Sequence, residues 1–473
     1  MNRPIAHLFA VIMVLFGLLI VWTSRWTVFD ASALQHNSLN KLGFYAGLKI
    51  KRGRIVADNG EVLGKSLPAG GGTWKRTYPA GPLFAQSVGY DNPQLGSSAG
   101  LEKYHNQWLS GRPQSSLTSV FGPLGGGQTV GDDLHTTLDP RAQAAARSLL
   151  AGRVGSVVAI VPQTGALKVL YSNPTYNDNT PNAKGSSQFF NAVQGEYPPG
   201  STFKVVTATA ALNSGRYTPN STIVGTSPLK VSGVPLQNDG NVSYGAVTLT
   251  KALTLSINTV FAQVGQNVGI HTMAKYMKRF GFYHYPPLDL PTDEMLASGE
   301  RNPSNGHLLS PTSNLIDLGR MSIGQDKLAV TPLQMAMVAS TVADNGTLMA
   351  PHLATRAVNN VGQTVKRFGP RAYSHVMKAS TALELRQMMT SVVEEGTGQS
   401  ANLQGLNAAG KTGTATVDVA RNLDDAWFIG LAPVAHPKIA VAVELTNIVN
   451  GFGGTYAAPV AAQIMKLLIS EGQ

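Results

Sequence analysis

The chain has 473 residues, 43% of them hydrophobic and 13% charged, with 50 Gly; this length calls for at least two domains, and this composition excludes a disordered chain. There is no Cys, which removes disulfides, thiolate nucleophiles and thiolate metal sites, and the ten His form no His-Glu-x-x-His pattern, so neither a metal nor another cofactor is called for. The formal charge of +11 favours anionic neighbours such as lipid headgroups or wall polymers, while the scatter of Lys and Arg, without a dense basic run, argues against nucleic acid.

In chain order, the first element runs from Pro4 to Thr23, apolar, free of formal charge and long enough to cross a bilayer. Arg3 precedes it and Trp22 and Trp26 close it as interfacial anchors, which predicts a cytoplasmic N-terminus with the rest of the chain outside the cytoplasm. Val21 to Trp26 lacks the small-x-small pattern of a signal peptidase site, so the expectation is an uncleaved single-pass anchor in the cell membrane, over a cleaved signal peptide. A mixed juxtamembrane stretch follows, from about Arg25 to Asn40. Then Asp58-Asn59-Gly60, between two β-rich runs, predicts a hairpin. Gly-rich breaks at Ala69 to Gly72 and Gly122 to Gly127 bracket polar, turn-rich sequence. The division expected is 1–24 for the tip and anchor, 25–150 for a small β-rich module and 151–473 for the catalytic domain.

Asp139-Pro140 opens a helix through Leu150, with Pro in the first turn. Gly155 to Val161 and Ala166 to Ser172, separated by Pro162-Gln163-Thr164-Gly165, predict a β-hairpin. From about Gln194 to Ala350 the apolar spacing is mostly helical, after Ser201, after Val247 and around Thr331 to Val342. Strands return at Ala408 to Thr416, Trp427 to Leu431 and Ile439 to Leu445, before an apolar helix from about Tyr456 to Ile469. A sheet built from both ends of a domain, with helices inserted between them, is an α/β sandwich.

Three short motifs punctuate this frame: Ser201-Thr202-Phe203-Lys204, Ser256-Ile257-Asn258 and Lys411-Thr412-Gly413-Thr414. A Ser-x-x-Lys alone is weak evidence, and Ser38/Lys41 and Ser227/Lys230 repeat it. Ser201 differs because Tyr197-Pro198-Pro199-Gly200 stiffens its approach and an apolar, Ala-rich helix follows. That setting places Ser201 at a helix N-terminus, where negative charge is favoured, with Lys204 one turn on along the same face. Lys204 can take the hydroxyl proton only if its pKa is depressed, by burial and by a second cation, for which Lys411 is the candidate. Ser256-Ile257-Asn258 fits either a helix-to-loop cap or a proton relay through Ser256 with Asn258 hydrogen-bonding substrate. Lys411 to Thr414 falls on a predicted strand. There Gly413 permits close approach, the Thr412 and Thr414 hydroxyls can bind a carboxylate, and a peptide can add along the edge.

With the three motifs in this order the chain resembles the penicillin-binding proteins and serine β-lactamases. The finer resemblance is to class B penicillin-binding proteins, monofunctional D,D-transpeptidases of the bacterial cell wall, and among them to the small penicillin-binding protein A type. It extends over Arg52-Gly53-Arg54-Ile55, Gly100-Leu101-Glu102, Ser322-Ile323-Gly324-Gln325, Thr331-Pro332-Leu333-Gln334, Gly396-Thr397-Gly398 and Ala426-Trp427-Phe428. The resemblance implies an antiparallel sheet sandwiched by helices with an all-helical subdomain, on a β-rich pedestal or dimerisation-like module and one transmembrane helix. It implies that Ser201 is acylated by stem peptides and by β-lactams, with the N–H groups of Ser201 and Thr414 as oxyanion hole. Many relatives carry His before the Ala-Trp-Phe run where this chain has Asp425, which leaves that position's role in lining the cleft open. Asp424 could face the cleft or be a solvated surface carboxylate.

Two other activities share these motifs. A D,D-carboxypeptidase forms the same acyl-enzyme with water as acceptor, and a class A β-lactamase needs a deacylating Glu with Asn four residues on, which no Glu after Ser256 has. A third reading is a non-catalytic scaffold of the division or elongation machinery that holds a SEDS-type glycosyltransferase through the N-terminal helix and module. Intact Ser201, Lys204, Ser256 and Lys411 speak for an enzyme, and nothing in the first 150 residues can polymerise glycan.

Overall fold

The computed structural model describes residues 3–30, 45, 47–94, 96–111 and 130–470. The Gly122 to Gly127 break, most of the juxtamembrane stretch and the Ser38/Lys41 pair lie outside the described residues. The N-terminal helix spans Arg3–Ser24 and continues as a wider turn through Phe29, 27 residues in all with none of its apolar window buried. At about 1.5 Å per residue it exceeds the roughly 30 Å of a hydrocarbon core.

The Asp58-Asn59-Gly60 turn joins Ile55–Val56 to Val62–Gly70, paired antiparallel. These strands belong to a six-stranded sheet that includes Thr73–Thr77 and Asp133–Thr136 and is completed by Ala354–Val358 and Thr364–Arg367. The last two strands come from far along the chain, so the module is finished by residues that a cut at 150 assigns elsewhere. A buried charge cluster ties it together: Glu102 bonds Arg52 at 2.6 Å and Arg76 at 2.5 Å, and Tyr78 donates to it at 3.2 Å. Burial alone would push the Glu102 carboxyl up, but Arg76 and Arg52 together hold it below the usual range.

The second sheet has five antiparallel strands, β1 (Gly155–Val161), β2 (Ala166–Asn173), β3 (Ala409–Asp418), β4 (Leu423–Ala432) and β5 (Ile439–Val449), in the order β3-β4-β5-β1-β2. The helices that position the site are α1 (Pro140–Leu150), α2 (Lys204–Asn213), α3 (Asn258–Val268), α4 (Pro332–Ala343) and α5 (Gly453–Ser470). Asp139 caps α1 by accepting from the N–H groups of Arg141 and Ala142, and Thr331 caps α4 through the N–H of Gln334. Side chains alternate across the sheet with period two. Val157, Ala159, Phe428, Val441 and Val443 pack with α1 and α5 on one face, whereas Val158, Ile160, Ile429, Ala440 and Ala442 join the larger core on the other. Every residue of α4 is buried, which matches its apolar and small-residue sequence, and its long polar side chain, Gln334, donates to the Phe280 carbonyl at 2.8 Å.

Besides its helices the middle region carries short strand pairs, among them Thr222–Gly225 with Tyr244–Thr248 and Leu229–Val231 with Val234–Leu236. They are short and largely exposed, so they leave almost no hydrophobic period in the sequence.

Candidate active site

Ser201 sits on a 3₁₀ turn, Gly200–Phe203, that leads into α2, and Lys204 is the first residue of that helix. The turn is held from three sides. Thr202 Oγ1 donates to the Pro199 carbonyl at 2.7 Å, the Gly200 N–H donates to Gly324 of the Ser322–Gln325 loop at 3.0 Å, and Tyr197 exchanges backbone hydrogen bonds with Val330. On the fourth side lies β3, an edge strand. Gly200 has φ +51°, and a Cβ there would stand 2.7 Å from the Thr414 carbonyl oxygen; one on Gly413 would stand 2.7 Å from the Pro199 carbonyl oxygen. Backbone therefore meets backbone where the first and third motifs touch, and a side chain at either position would separate them.

Ser256 lies between the helix Leu249–Thr254 and α3, in the left-handed region at φ +58°. Three hydrogen-bonding groups converge on Nζ of Lys204: the Ser256 carbonyl at 2.7 Å, Asn258 Oδ1 at 2.7 Å and Ser256 Oγ at 3.2 Å. Lys411 reaches the same hydroxyl from β3 at 2.9 Å and donates to the Thr412 carbonyl at 3.0 Å. Ser256 Oγ thus stands between two lysines, both fully buried. Burial, and next the charge of Lys411, hold Lys204 well below the ordinary lysine range, and burial brings Lys411 down to about 7. Among the described residues no carboxylate bonds to either lysine.

The structure brings Lys204, Ser256, Asn258, Lys411 and Thr412 together and sets the turn bearing Ser201 against Gly413 and Thr414. The Ser201 hydroxyl is part-exposed and makes no hydrogen bond among the described residues. Three expected substrate contacts are engaged within the protein. Asn258 accepts from Lys204 and donates from Nδ2 to the Gln237 carbonyl at 3.0 Å. The hydroxyls of Thr412 and Thr397 are 2.6 Å apart, and Thr414 Oγ1 accepts from the N–H of Gly453 at the start of α5. Gln237 and Gly453 carry no signal in the sequence. Thr397 does, through the Gly-Thr-Gly run. The Ser227/Lys230 pair is elsewhere, with Ser227 bonded to Asn241.

Asp425 is buried and turned toward β5, accepting from Thr446 Oγ1 at 2.6 Å and the Asn447 N–H at 3.1 Å. Asp424 is half-buried and accepts from Thr416 Oγ1 at 2.7 Å and the Gly451 N–H at 3.0 Å, on the strand face that carries Thr414. A group the sequence reading did not single out for the site is Glu444 on β5, cross-strand from Trp427. It is fully buried, neither oxygen has a partner among the described residues, and burial pushes its carboxyl well up.

Comparison with known proteins agrees with this arrangement. Residues 155–466 match the penicillin binding protein transpeptidase domain, and residues 52–133 match the penicillin binding protein A dimerisation domain. Over 509 aligned positions, covering all of both chains, the sequence is 30% identical to the peptidoglycan D,D-transpeptidase PbpA of Mycolicibacterium smegmatis. Among solved structures, penicillin-binding protein A of M. tuberculosis as its penicillin G acyl-enzyme complex is 28% identical with a TM-score of 0.76, covering 89% of this chain and 100% of that one. The D,D-transpeptidase domain from Eggerthella lenta is 29% identical with a TM-score of 0.76, covering 90% and 100%. The chain belongs to the penicillin-binding protein transpeptidase family, in its class B branch of the penicillin-binding protein A type.

Proposed function

We propose that this chain is a peptidoglycan D,D-transpeptidase that cross-links stem peptides through an acyl-enzyme on Ser201 and is inhibited when β-lactams acylate the same hydroxyl. The observation that carries the reading is the Ser256 hydroxyl held between two buried lysines, 3.2 Å from Lys204 and 2.9 Å from Lys411.

Burial, and next the charge of Lys411, favour the neutral amine of Lys204, which has two N–H bonds and a lone pair. The Ser256 carbonyl and Asn258 Oδ1 accept the two N–H groups, and the lone pair is left for a hydroxyl. Lys204 takes the proton of Ser201 as Oγ attacks the penultimate D-Ala carbonyl of the donor stem. The N–H groups of Ser201 and Thr414 hold the oxyanion, and the contact of Gly200 with the Thr414 backbone supports this placement. The proton then passes through Ser256 to the leaving D-Ala amine as the C–N bond breaks. The amine of a second stem loses its proton back along the same route as it attacks the ester. Thr412, Gly413 and Thr414 on the free edge of β3 receive the donor's terminal carboxylate and backbone, and the arrival of that carboxylate favours the charged form of Lys411 beside them. Substrate displaces the internal partners of Asn258 and Thr414 when it binds.

In this reading residues 1–24 are the cytoplasmic tip and anchor, 25–150 the pedestal and 151–473 the transpeptidase domain. The N-terminal helix crosses the cell membrane with its N-terminus inside, and a SEDS-type glycosyltransferase among the division or elongation proteins makes the glycan. The test is labelling of the full chain in detergent by a fluorescent penicillin, wild type against Ser201→Ala, followed by a stem-peptide assay with a D-amino acid as acceptor. Stable label absent only from the variant, with exchange of the terminal D-Ala, supports the proposal. Folded wild type that takes no label refutes it and favours the scaffold, and release of D-Ala to water alone makes the enzyme a carboxypeptidase.

A further inference from the structure

A cavity of about 540 Å³ lies where the N-terminal module meets the catalytic region, away from the three motifs. Its walls come from the helices Gly100–Tyr104 and Asn106–Leu109, from the 285–295 segment and from the loops at 350–352 and 368–371. The two regions are pinned together beside it, by Lys103 to Asp293 at 2.6 Å, by the Gly100 N–H to Glu294 at 2.9 Å and by His105 to Asp289 at 3.3 Å. The cavity is therefore a fixed part of the fold.

Its lining is selective. Trp108 and Phe368 stand edge to face with ring centroids 6.4 Å apart, and the rings of Tyr104 and Tyr285 flank them, each about half exposed. Such apolar ring faces with polar rims suit the C–H face of a sugar. Among the described residues the one carboxylate in the wall, Asp289, is already consumed by the N–H groups of Leu353 and Ala354, both at 2.7 Å, and by His105. Arg371 has no side-chain partner among the described residues, and neither does Gln107. The cavity thus has an unbalanced positive charge and a free amide beside clustered aromatic rings, which calls for a pyranose with a carboxylate a few bonds away.

We propose that this cavity binds the saccharide end of a muramyl peptide, with the sugar ring against Trp108, Phe368 and Tyr285 and the carboxylate of the stem's acidic second residue on Arg371. The proposal rests on the transpeptidase reading for the choice of polymer. It adds a second place where a strand is held, distant in the fold from the acylated serine.

The test uses the full chain in detergent and two small probes that lack the terminal D-Ala-D-Ala and carry the γ-carboxyl of the second residue as a methylamide, as the stem blocks it: the γ-methylamide of N-acetylmuramyl-L-alanyl-D-glutamate, with a free α-carboxylate, and that of N-acetylmuramyl-L-alanyl-D-isoglutamine, its α-amide. Binding is read by saturation-transfer NMR and calorimetry. The acid binds about tenfold more tightly than the amide, the gain of a charge-assisted bond to guanidinium. Arg371→Gln erases that preference, and Tyr285→Ala weakens both probes about fivefold through loss of ring contact. Both residues are exposed and unbonded, so neither change threatens folding. No binding by wild type up to about 10 mM overturns the proposal, as does equal affinity for acid and amide, or a preference that survives Arg371→Gln. Penicillin labelling of the same preparation reports on Ser201 separately. Labelled protein that ignores both probes refutes the cavity assignment alone, whereas unlabelled protein that shows the Arg371-dependent preference supports it while the transpeptidase reading fails.

Discussion

Replacing Ser256 by Gly and by Ala separates what its backbone costs from what its hydroxyl does. At φ +58° a residue with a Cβ is strained by about 1–2 kcal/mol, and Gly is not. Both substitutions delete the hydroxyl that touches Lys204 and Lys411, so the loss of those contacts is common to them and cancels in the comparison. Gly's greater freedom in the unfolded chain subtracts roughly 0.5–1 kcal/mol, which leaves Ser256→Gly the more stable by about 0.5–1 kcal/mol. In a chain of this size that is about 1–2 °C in melting temperature. Acylation by a penicillin falls in both by at least about 100-fold, the usual contribution of a positioned proton-transfer group. Stopped-flow labelling and thermal melts of the three proteins measure the two quantities independently. A Gly variant less stable than the Ala variant by about 0.5–1 kcal/mol, the whole of its unfolded-state penalty, would show that the left-handed backbone carries no strain; acylation within tenfold of wild type in both would remove Ser256 from the proton route.

Lysine burial sets a pH dependence of stability. Lys411 is brought down to about 7 in the folded chain from an ordinary 10.5, so across that window the unfolded state holds a proton that the folded state lacks. Stability rises with pH from about 7 toward 10.5 and is lost as pH falls through about 7; Lys411→Met flattens this slope in urea unfolding curves collected from pH 7 to 10. Glu102→Ala leaves the buried guanidiniums of Arg52 and Arg76 without their shared carboxylate and costs about 3–5 kcal/mol, read as a lowered melting temperature. Gly413→Ala puts a Cβ 2.7 Å from the Pro199 carbonyl and pushes β3 off the Ser201 turn, so penicillin acylation slows by more than about tenfold.

Much of this was legible in the sequence because the chemistry restricts both residue type and order. The strands at 155–173 and 409–449 announce themselves through their apolar runs, and Asp139, Thr331 and Asp58-Asn59-Gly60 mark element ends whose backbone geometry they dictate. The resemblance to a known family added the fold around them. What stayed hidden depends on pairing between distant segments: Ala354–Val358 completing a sheet begun at Ile55, the short pairs between Thr222 and Thr248, and the hold of Gln237 on Asn258. No local period encodes such contacts. Glu444 was hidden for a different reason, since within an apolar strand a single carboxyl reads as an outward-facing residue until the register places it under Trp427.

The contact of Gly200 and Gly413 with the opposing backbone also bears on how such an enzyme can escape its inhibitors. A drug that copies the donor stem is read by the same turn and the same strand, and where these meet there is main chain on both sides, with nothing for a point mutation to trim. Enlarging either glycine parts the strand from the serine for substrate and drug alike. Reduced susceptibility therefore has to be sought farther out, at the tip of the β3–β4 hairpin and the neighbouring end of β5, where Val417, Val419, Val449 and Phe452 face solvent and can change shape without moving that seam.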